Sequence, residues 1–298
     1  MIHCTIGIMA YNEAANIGRL LEALLTQETR NVEIDRVIVV ASGCTDDTES
    51  IVQRYAALDA RVLLLHQARR EGKASAVNLF MANARSAEVI VLASADLLPV
   101  PGAIEALVSP FADSTVGMVG GHPVPTNRRE TFIGFGINLL WELHHQVSLQ
   151  WPKMGELIAF RNIFYQIPGD SAVDEASIEP LIIGQGMKLR YAPEAIVYNH
   201  GPENVRDFVK QRRRIFTGHL YVKDMLGYQV ATMGAVRILR CYWKAMKRSD
   251  WHYYVWGPAV MALEVFVRLL GTYDYVVRKR NPYIWQMAES TKKDLKTV

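Results

Sequence analysis

An apolar run, "VIVLASAD" at residues 89–96, closes on a single carboxylate, Asp96. Three other apolar runs also end on polar groups. "IHCTIGIM" leads to Tyr11, Asn12 and Glu13. "RVIVVAS" leads to Ser42, Gly43, Cys44, Thr45 and Asp46, and "RVLLLH" leads within a few residues to Gly72 and Lys73. A lysine, several carboxylates and helix N-termini gathered on one rim could hold a nucleoside diphosphate together with a divalent cation. The phosphate loop of nucleotide kinases is excluded by spacing. In "EGKAS" the glycine that motif needs at position 67 is Gln67, and Ser75 comes one place late.

The elements that must position these residues alternate. Between the apolar runs, "AYNEAANIGRLLEALLTQ" sets Ile17, Leu20, Leu21, Leu24 and Leu25 at helical spacing. "TDDTESIVQRYAAL" predicts a second helix with Thr45 as its N-cap, and "GKASAVNLFMANA" a third over 72–84. Strands at 2–9, 36–42, 61–66 and 88–94 between such helices predict an α/β fold, a mostly parallel sheet covered on both faces. Ligands on such sheets bind beyond the carboxyl ends of the strands. Past residue 100 the pattern is mixed: strands at 117–125 and 155–162, a helix at 131–150, and a helix, glycine stop and strand in "DEASIEPLIIGQGMKLRYA". A long basic helix follows at 204–225. No repeat or low-complexity linker interrupts residues 1–225, which read as one domain.

The 298 residues are 50% hydrophobic and 21% charged, enough for one large domain or two modest ones. The three cysteines, Cys4, Cys44 and Cys241, lie far apart, which argues against a disulfide scaffold or zinc site and for a reducing compartment. The start, "MIHCTIGIMAYNEAAN", reads as a first strand rather than a signal peptide. Net charge is +3, but residues 205–250 hold eleven Lys or Arg against three Asp. Such a block suits phosphate-bearing ligands, an anionic membrane surface or a solvated helix face; nucleic acid is not an expected partner.

The stretch 251–277 is long enough to cross a bilayer, yet Glu264 and Arg268 interrupt it and basic clusters flank both ends. By the positive-inside rule this favours an interfacial or re-entrant helix on the cytoplasmic face, peripheral or monotopic. Burial against a second subunit of a homo-oligomer is the alternative. Residues 226–298 are thus expected to be a helical, membrane-associating segment of amphipathic and hydrophobic helices.

Taken together, these motifs resemble those of the family 2 glycosyltransferases, inverting enzymes of the Rossmann-like GT-A fold that use nucleotide-sugar donors. "AYNEAANIGRLLEAL" is similar to their P-x-Y-N-E opening, "VVASGCTDDT" to V-V-D-D-x-S-x-D-x-T and "GKASAVN" to G-K-x-x-A-x-N. "ASAD" stands where they carry the D-x-D metal motif, and "GELIAFRN" resembles their acceptor-side strand. "DEASI" through "VKQRRRI" is similar to their E-D-x-x-L helix, following strands and Q-x-x-R-W helix. The resemblance covers about residues 1–225.

It implies that Asp96 meets the metal and the donor diphosphate, with Tyr11, Glu13, Ser42 and Asp46 on the nucleoside side. Lys73, Gln211 and Arg214 are implied near the phosphates. Ile215 replaces the tryptophan of Q-x-x-R-W, which argues against a processive polymerase. Ala41 and Ser42 replace an Asp-Asp pair, Ser94 replaces the first Asp of D-x-D, and "DEASI" reverses the E-D order. Glu175 then falls on the catalytic base and Asp174 beside it, and either carboxylate could do the work.

Inverting transfer needs a base for the acceptor hydroxyl and a charge sink for the leaving diphosphate, which Mg2+ or Mn2+ and cationic side chains supply. One carboxylate is a sparse site for a hard cation, so His200 in "VYNHGPEN" is a candidate second ligand; it also reads as a turn histidine before Gly201-Pro202. Arg161 and His145 are candidates for the acceptor side, with ion pairing and helix packing as their alternatives. The acceptor is expected to be a saccharide or a polyprenyl-linked molecule. The competing readings are a nucleotidyltransferase on a similar sheet and an inactive nucleotide-sugar binder.

Overall fold

The computed structural model describes residues 1–284 of the chain. In chain order the elements are β1 (Ile2–Ala10), α1 (Ile17–Leu25), β2 (Val32–Ser42), α2 (Thr48–Leu58), β3 (Val62–Gln67), α3 (Lys73–Asn83), β4 (Val89–Ser94), β5 (Leu98–Pro99) and α4 (Ala103–Val108). They continue with β6 (Val116–Pro125), α5 (Phe132–Ser148), β7 (Leu157–Arg161), α6 (Asp174–Gly184), β8 (Lys188–Asn199), α7 (Val205–Leu226), α8 (Ala235–Ala245) and α9 (His252–Val276). Residues 285–298, the end of the expected C-terminal segment, lie outside the described residues.

The strands form one sheet in the order β3-β2-β1-β4-β7-β6-β8-β5. β1 to β4 pair in parallel, as the alternating pattern predicts. β7 enters between β4 and β6 antiparallel to both, and β5 lies antiparallel to β8. The result is a mixed α/β fold of the GT-A kind.

Successive strand residues face opposite sides of a sheet, so an unbroken apolar run fills two cores at once. Val37 and Val39 of β2 pack in the layer that holds Leu20, Leu21 and Leu24 of α1. Ile38 and Val40 pack in the layer that holds Val77 and Phe80 of α3. The second layer is tight: a Cβ on Gly7 would lie 2.6 Å from the Phe80 ring, so only glycine fits beneath it.

Helix α2 begins at Thr48, later than the expected Thr45 cap. The Asp46 carboxylate takes the Thr48 amide at 3.1 Å, and Thr45 bonds Asn12 instead. The basic helix α7 is capped at its start by Asn204, whose side chain accepts from the Asp207 amide, and at its end by Gly227 with φ +64°.

Helix α9 lies against α7 and α5. Glu264 is buried on its inner face and accepts from Arg212 of α7 at 2.7 and 3.0 Å and from Arg268 at 3.2 Å. Asp274 pairs with Arg213 of α7. The outer face of α9 is apolar and exposed, with Val255, Val265, Phe266, Leu269, Tyr273 and Val276 along it.

Candidate active site

Parallel pairing brings the carboxyl ends of β1, β2 and β4 to one edge: Ala10 stands opposite Ala41, and Met9 opposite Ser94. The residues that follow these strands open onto a cavity of about 830 Å³. Tyr11, Glu13, Ser42, Lys73, Asp96, Asp174, Glu175, Gln211 and Arg214 all line it. Nine of the residues singled out in the sequence are thereby brought to one place by six separate segments.

The loop after β1 is held by Asn12, which takes the left-handed conformation (φ 52°) that Asn tolerates better than most residues. Its side-chain oxygen accepts from the Thr45 amide at 2.8 Å, tying the first two rim loops together. The guanidinium of Arg70 covers the Tyr11 ring at 4.1 Å. The Ser42 hydroxyl bonds Gln67 at 2.7 Å.

Helix α6 begins at Asp174, so both of its candidate carboxylates occupy the first turn. The Lys73 ammonium lies 3.0 Å from Asp174 Oδ1. Burial works against the charge on Lys73, but Asp174 and Glu175 outweigh it and raise its pKa. Glu175 is pushed up to about 7, first by burial and then by the charge of Asp174. Two adjacent carboxylates thus differ: one is held by a lysine, and the other binds its proton unusually tightly. Helix α7 adds Arg206, Lys210, Arg213 and Arg214 to the opposite wall. Burial lowers Arg214 to about 10, against the attraction of Glu175, Asp174 and Glu156.

Glu156 is a residue the sequence reading missed. It precedes β7 and lines the cavity with Asp96. Burial and the Asp96 charge raise its pKa, and its carboxylate accepts from Asn199 Nδ2 at 3.0 Å. The other side-chain atom of Asn199, Oδ1, is buried without a hydrogen-bond partner. The only signal for Glu156 was a carboxylate at the mouth of the apolar run "LIAF". The tail also reaches the cavity, through Asp274, Arg280, Pro282, Tyr283 and Ile284.

Four candidates do not line it. Asp46 binds the amides of Ala14 and Thr48 and so joins the first rim loop to α2. Arg161 sits at the far edge of the sheet. β7 runs antiparallel, so Arg161 pairs with Val89 at the start of β4, and its guanidinium bonds the carbonyls of Val116 and Phe111 and pairs with Glu88. His145 stacks on His122 at 4.1 Å and bonds the Tyr191 hydroxyl at 2.8 Å. His200 follows Asn199, but its ring nitrogens meet Thr126 at 3.0 Å and Glu203 at 3.2 Å.

The donor set suits a hard divalent cation. Asp96 and Glu156 are carboxylates whose repulsion a cation would relieve, and the Asn199 side-chain amide donates to Glu156 and holds it in place. Such a site offers oxygen ligands, which Mg2+ and Mn2+ prefer.

Comparison with solved structures agrees with the fold. A mannosyltransferase from Pyrobaculum calidifontis, in complex with GDP-Man and Mn2+, superposes with a TM-score of 0.60 at 22% identity, over 94% of this chain and 81% of that one. Glucosyl-3-phosphoglycerate synthase from Mycobacterium tuberculosis, with Mn2+, UDP and glucosyl-3-phosphoglycerate, superposes at 0.52 and 17% identity, over 76% of this chain and 80% of that one. The same synthase with Mg2+ and UDP gives 0.52 at 18% identity, over 76% and 80%. No curated protein matches the sequence. The family model for glycosyl transferase family 2 matches residues 5–179, more than half of the chain and all of the rim from β1 to the first turns of α6. The protein therefore belongs to glycosyl transferase family 2.

Proposed function

We propose that the protein is an inverting glycosyltransferase that moves a sugar from a UDP- or GDP-linked donor to a hydroxyl or phosphate acceptor carried at a membrane surface. The observation that carries this reading is the convergence of Glu175, with its raised proton affinity, on the same cavity as Asp96, Lys73 and Arg214.

In this reading the acceptor oxygen attacks the anomeric carbon as the bond from that carbon to the diphosphate breaks. Glu175 takes the acceptor proton. Asp174, held by Lys73, keeps the first turn of α6 negative and in place. Arg214 and Lys73 face the diphosphate, and Arg213 and Lys210 extend the cationic wall. Tyr11 under Arg70, with Glu13 and Ser42, walls the nucleoside end. Asp96 and Glu156 would hold Mn2+ or Mg2+, which when bound neutralises charge on the leaving diphosphate. His200 could join them only by releasing Thr126 or Glu203.

The membrane part rests on α9. It is the described helix that is long and apolar enough to cross a bilayer, yet its carboxylates point inward to Arg212 and Arg213 while Val255, Val265, Phe266, Leu269 and Val276 point outward. Ionisable residues in lipid-facing helices are arranged this way. Helix α8 presents Val236, Leu239 and Trp243 beside Arg237, Arg240 and Lys244, an arrangement suited to the interface of an anionic leaflet. These features support a peripheral or monotopic protein on the cytoplasmic face with a polyprenyl-linked or other lipid-borne acceptor.

The test is a panel of UDP- and GDP-sugars, read by thermal shift with and without Mn2+ and then by transfer or donor hydrolysis. One donor class is expected to stabilise the protein in a Mn2+-dependent way, Asp96→Ala is expected to abolish turnover, and Glu175→Gln to lower it by roughly 10²–10⁴-fold. Unchanged turnover in both variants would refute the site, and binding without turnover in the wild type would favour an inactive nucleotide-sugar binder.

A further inference from the structure

We infer that residues 280–284, which follow α9, form a wall of the donor site, and that Arg280 and Tyr283 contact the nucleoside diphosphate of the donor. This rests on the donor reading given above and adds two residues outside the family match. Arg280, Pro282, Tyr283 and Ile284 line the same cavity as Lys73 and Asp96.

The segment is fastened at three points. The Arg280 amide donates to the Asp274 carbonyl at 3.0 Å, next to the Asp274–Arg213 ion pair. Asn281 Nδ2 donates to the Asp170 carbonyl at 2.6 Å, reaching the loop before α6. The Tyr283 carbonyl lies over Gly72, where an added Cβ would come within 3.0 Å of it and 3.4 Å of the Tyr283 ring. Gly72 also has φ +96°, a conformation that a side chain would strain, so glycine suits this close approach. The strap thus spans from the end of α9 to the N-terminus of α3, where Lys73 begins the helix.

The chemistry of the strap matches the wall it completes. A guanidinium pairs with phosphate oxygens in a charge-assisted, two-pronged contact. A tyrosine ring offers a flat apolar face for a base or ribose and a hydroxyl at its edge. Lys73, Arg206, Lys210 and Arg214 line the same cavity among carboxylates that include Asp96 and Glu156, so Arg280 adds a cation to a site whose carboxylates suit a metal and whose cations suit a diphosphate. Both strap residues are exposed, so substituting them removes no core packing.

The experiment uses the full chain. UDP and GDP, each with Mn2+, are titrated by calorimetry into wild type, Arg280→Ala, Arg280→Lys and Tyr283→Ala, with the ligand-free melting temperature of each recorded. For the nucleotide that the wild type binds, Arg280→Ala is expected to weaken affinity about tenfold, the equivalent of one charge-assisted contact. Arg280→Lys should recover part of that loss. Tyr283→Ala should weaken binding about threefold or more. Ligand-free melting temperatures should not change. Unchanged affinity in both alanine variants would overturn the inference and leave the donor reading standing, as would a loss of affinity that merely follows a fall in melting temperature. A wild type that binds neither nucleotide would overturn the donor reading and this inference with it.

Discussion

Asp174 and Glu175 have nearly the same chemistry and different surroundings, and the surroundings give them different partners. Lys73 holds Asp174 at 3.0 Å, whereas burial and the Asp174 charge hold the proton on Glu175 up to about 7. A base works in its ionised form, so kcat/KM for transfer is expected to rise with pH and level off above about 7. Glu175→Gln should remove that limb and lower the rate by roughly 10²–10⁴-fold. A pH–rate profile already flat from pH 5 would assign the proton to another group. Residue types alone left this pair undecided, since the sequence shows that two carboxylates adjoin but not which of them meets a lysine from α3. Arg161 and Glu156 make the same point. Both belong to one short apolar run, and the direction of β7 decides which end faces the cavity. Antiparallel pairing sets Leu157 opposite Ala93 near the rim and Arg161 opposite Val89 at the far edge. Strand periodicity is the same in either direction, so it carried no sign of this.

At the scale of elements, the chemistry of α7 depends on α9. One face of α7 carries Gln211, Arg213 and Arg214 to the cavity, where Arg213 pairs with Asp274, and another presents Arg212 to Glu264. Residue 225, the end of the first domain as read from the sequence, falls within the last turn of α7. A chain cut near residue 230 would leave two half-buried arginines facing removed partners. Glu264→Ala is expected to destabilise the protein by about 3–5 kcal/mol, because Arg212 and Arg268 would keep their burial and lose their counter-charge. Denaturant unfolding measures this. The ion pairs outweigh burial and bring the Glu264 carboxyl down to about 2 from an ordinary 4.5. Its stabilisation is therefore full above pH 4.5 and fades as pH falls toward 2. Acid unfolding of Glu264→Gln should accordingly show a shallower loss of stability across that window than the wild type. Equal slopes would mean that Glu264 does not carry the coupling.

At the scale of the whole molecule, one side is a catalytic rim and another is an apolar shelf made by α8 and α9. The acidic groups of α9 face the protein beside the buried Tyr253, Val260 and Val267, while an apolar strip of the helix stays exposed. Replacing Val265, Phe266 and Leu269 together by serine should abolish flotation with vesicles containing anionic lipid. The ligand-free melting temperature should barely move, since exposed substitutions away from buried networks usually stay within about 0.5 kcal/mol. Continued flotation of the triple variant would remove the shelf as the docking surface.

The sequence by itself determined the sheet of parallel strands, the rim and most of the groups on it. In parallel strand–helix units every strand must end at the same edge, so the order of residues along the chain suffices to bring Tyr11, Ser42, Lys73 and Asp96 together. Only the tertiary structure decided the antiparallel course of β7, the pairing of Glu156 with Asn199 and the return of residues 280–284 over Gly72. The first is a backbone ladder between distant segments, and the other two include single side-chain bonds between residues 43 and 111 positions apart. Local periodicity records which face of an element is apolar; it holds no information about which distant segment a lone carboxylate or amide will meet.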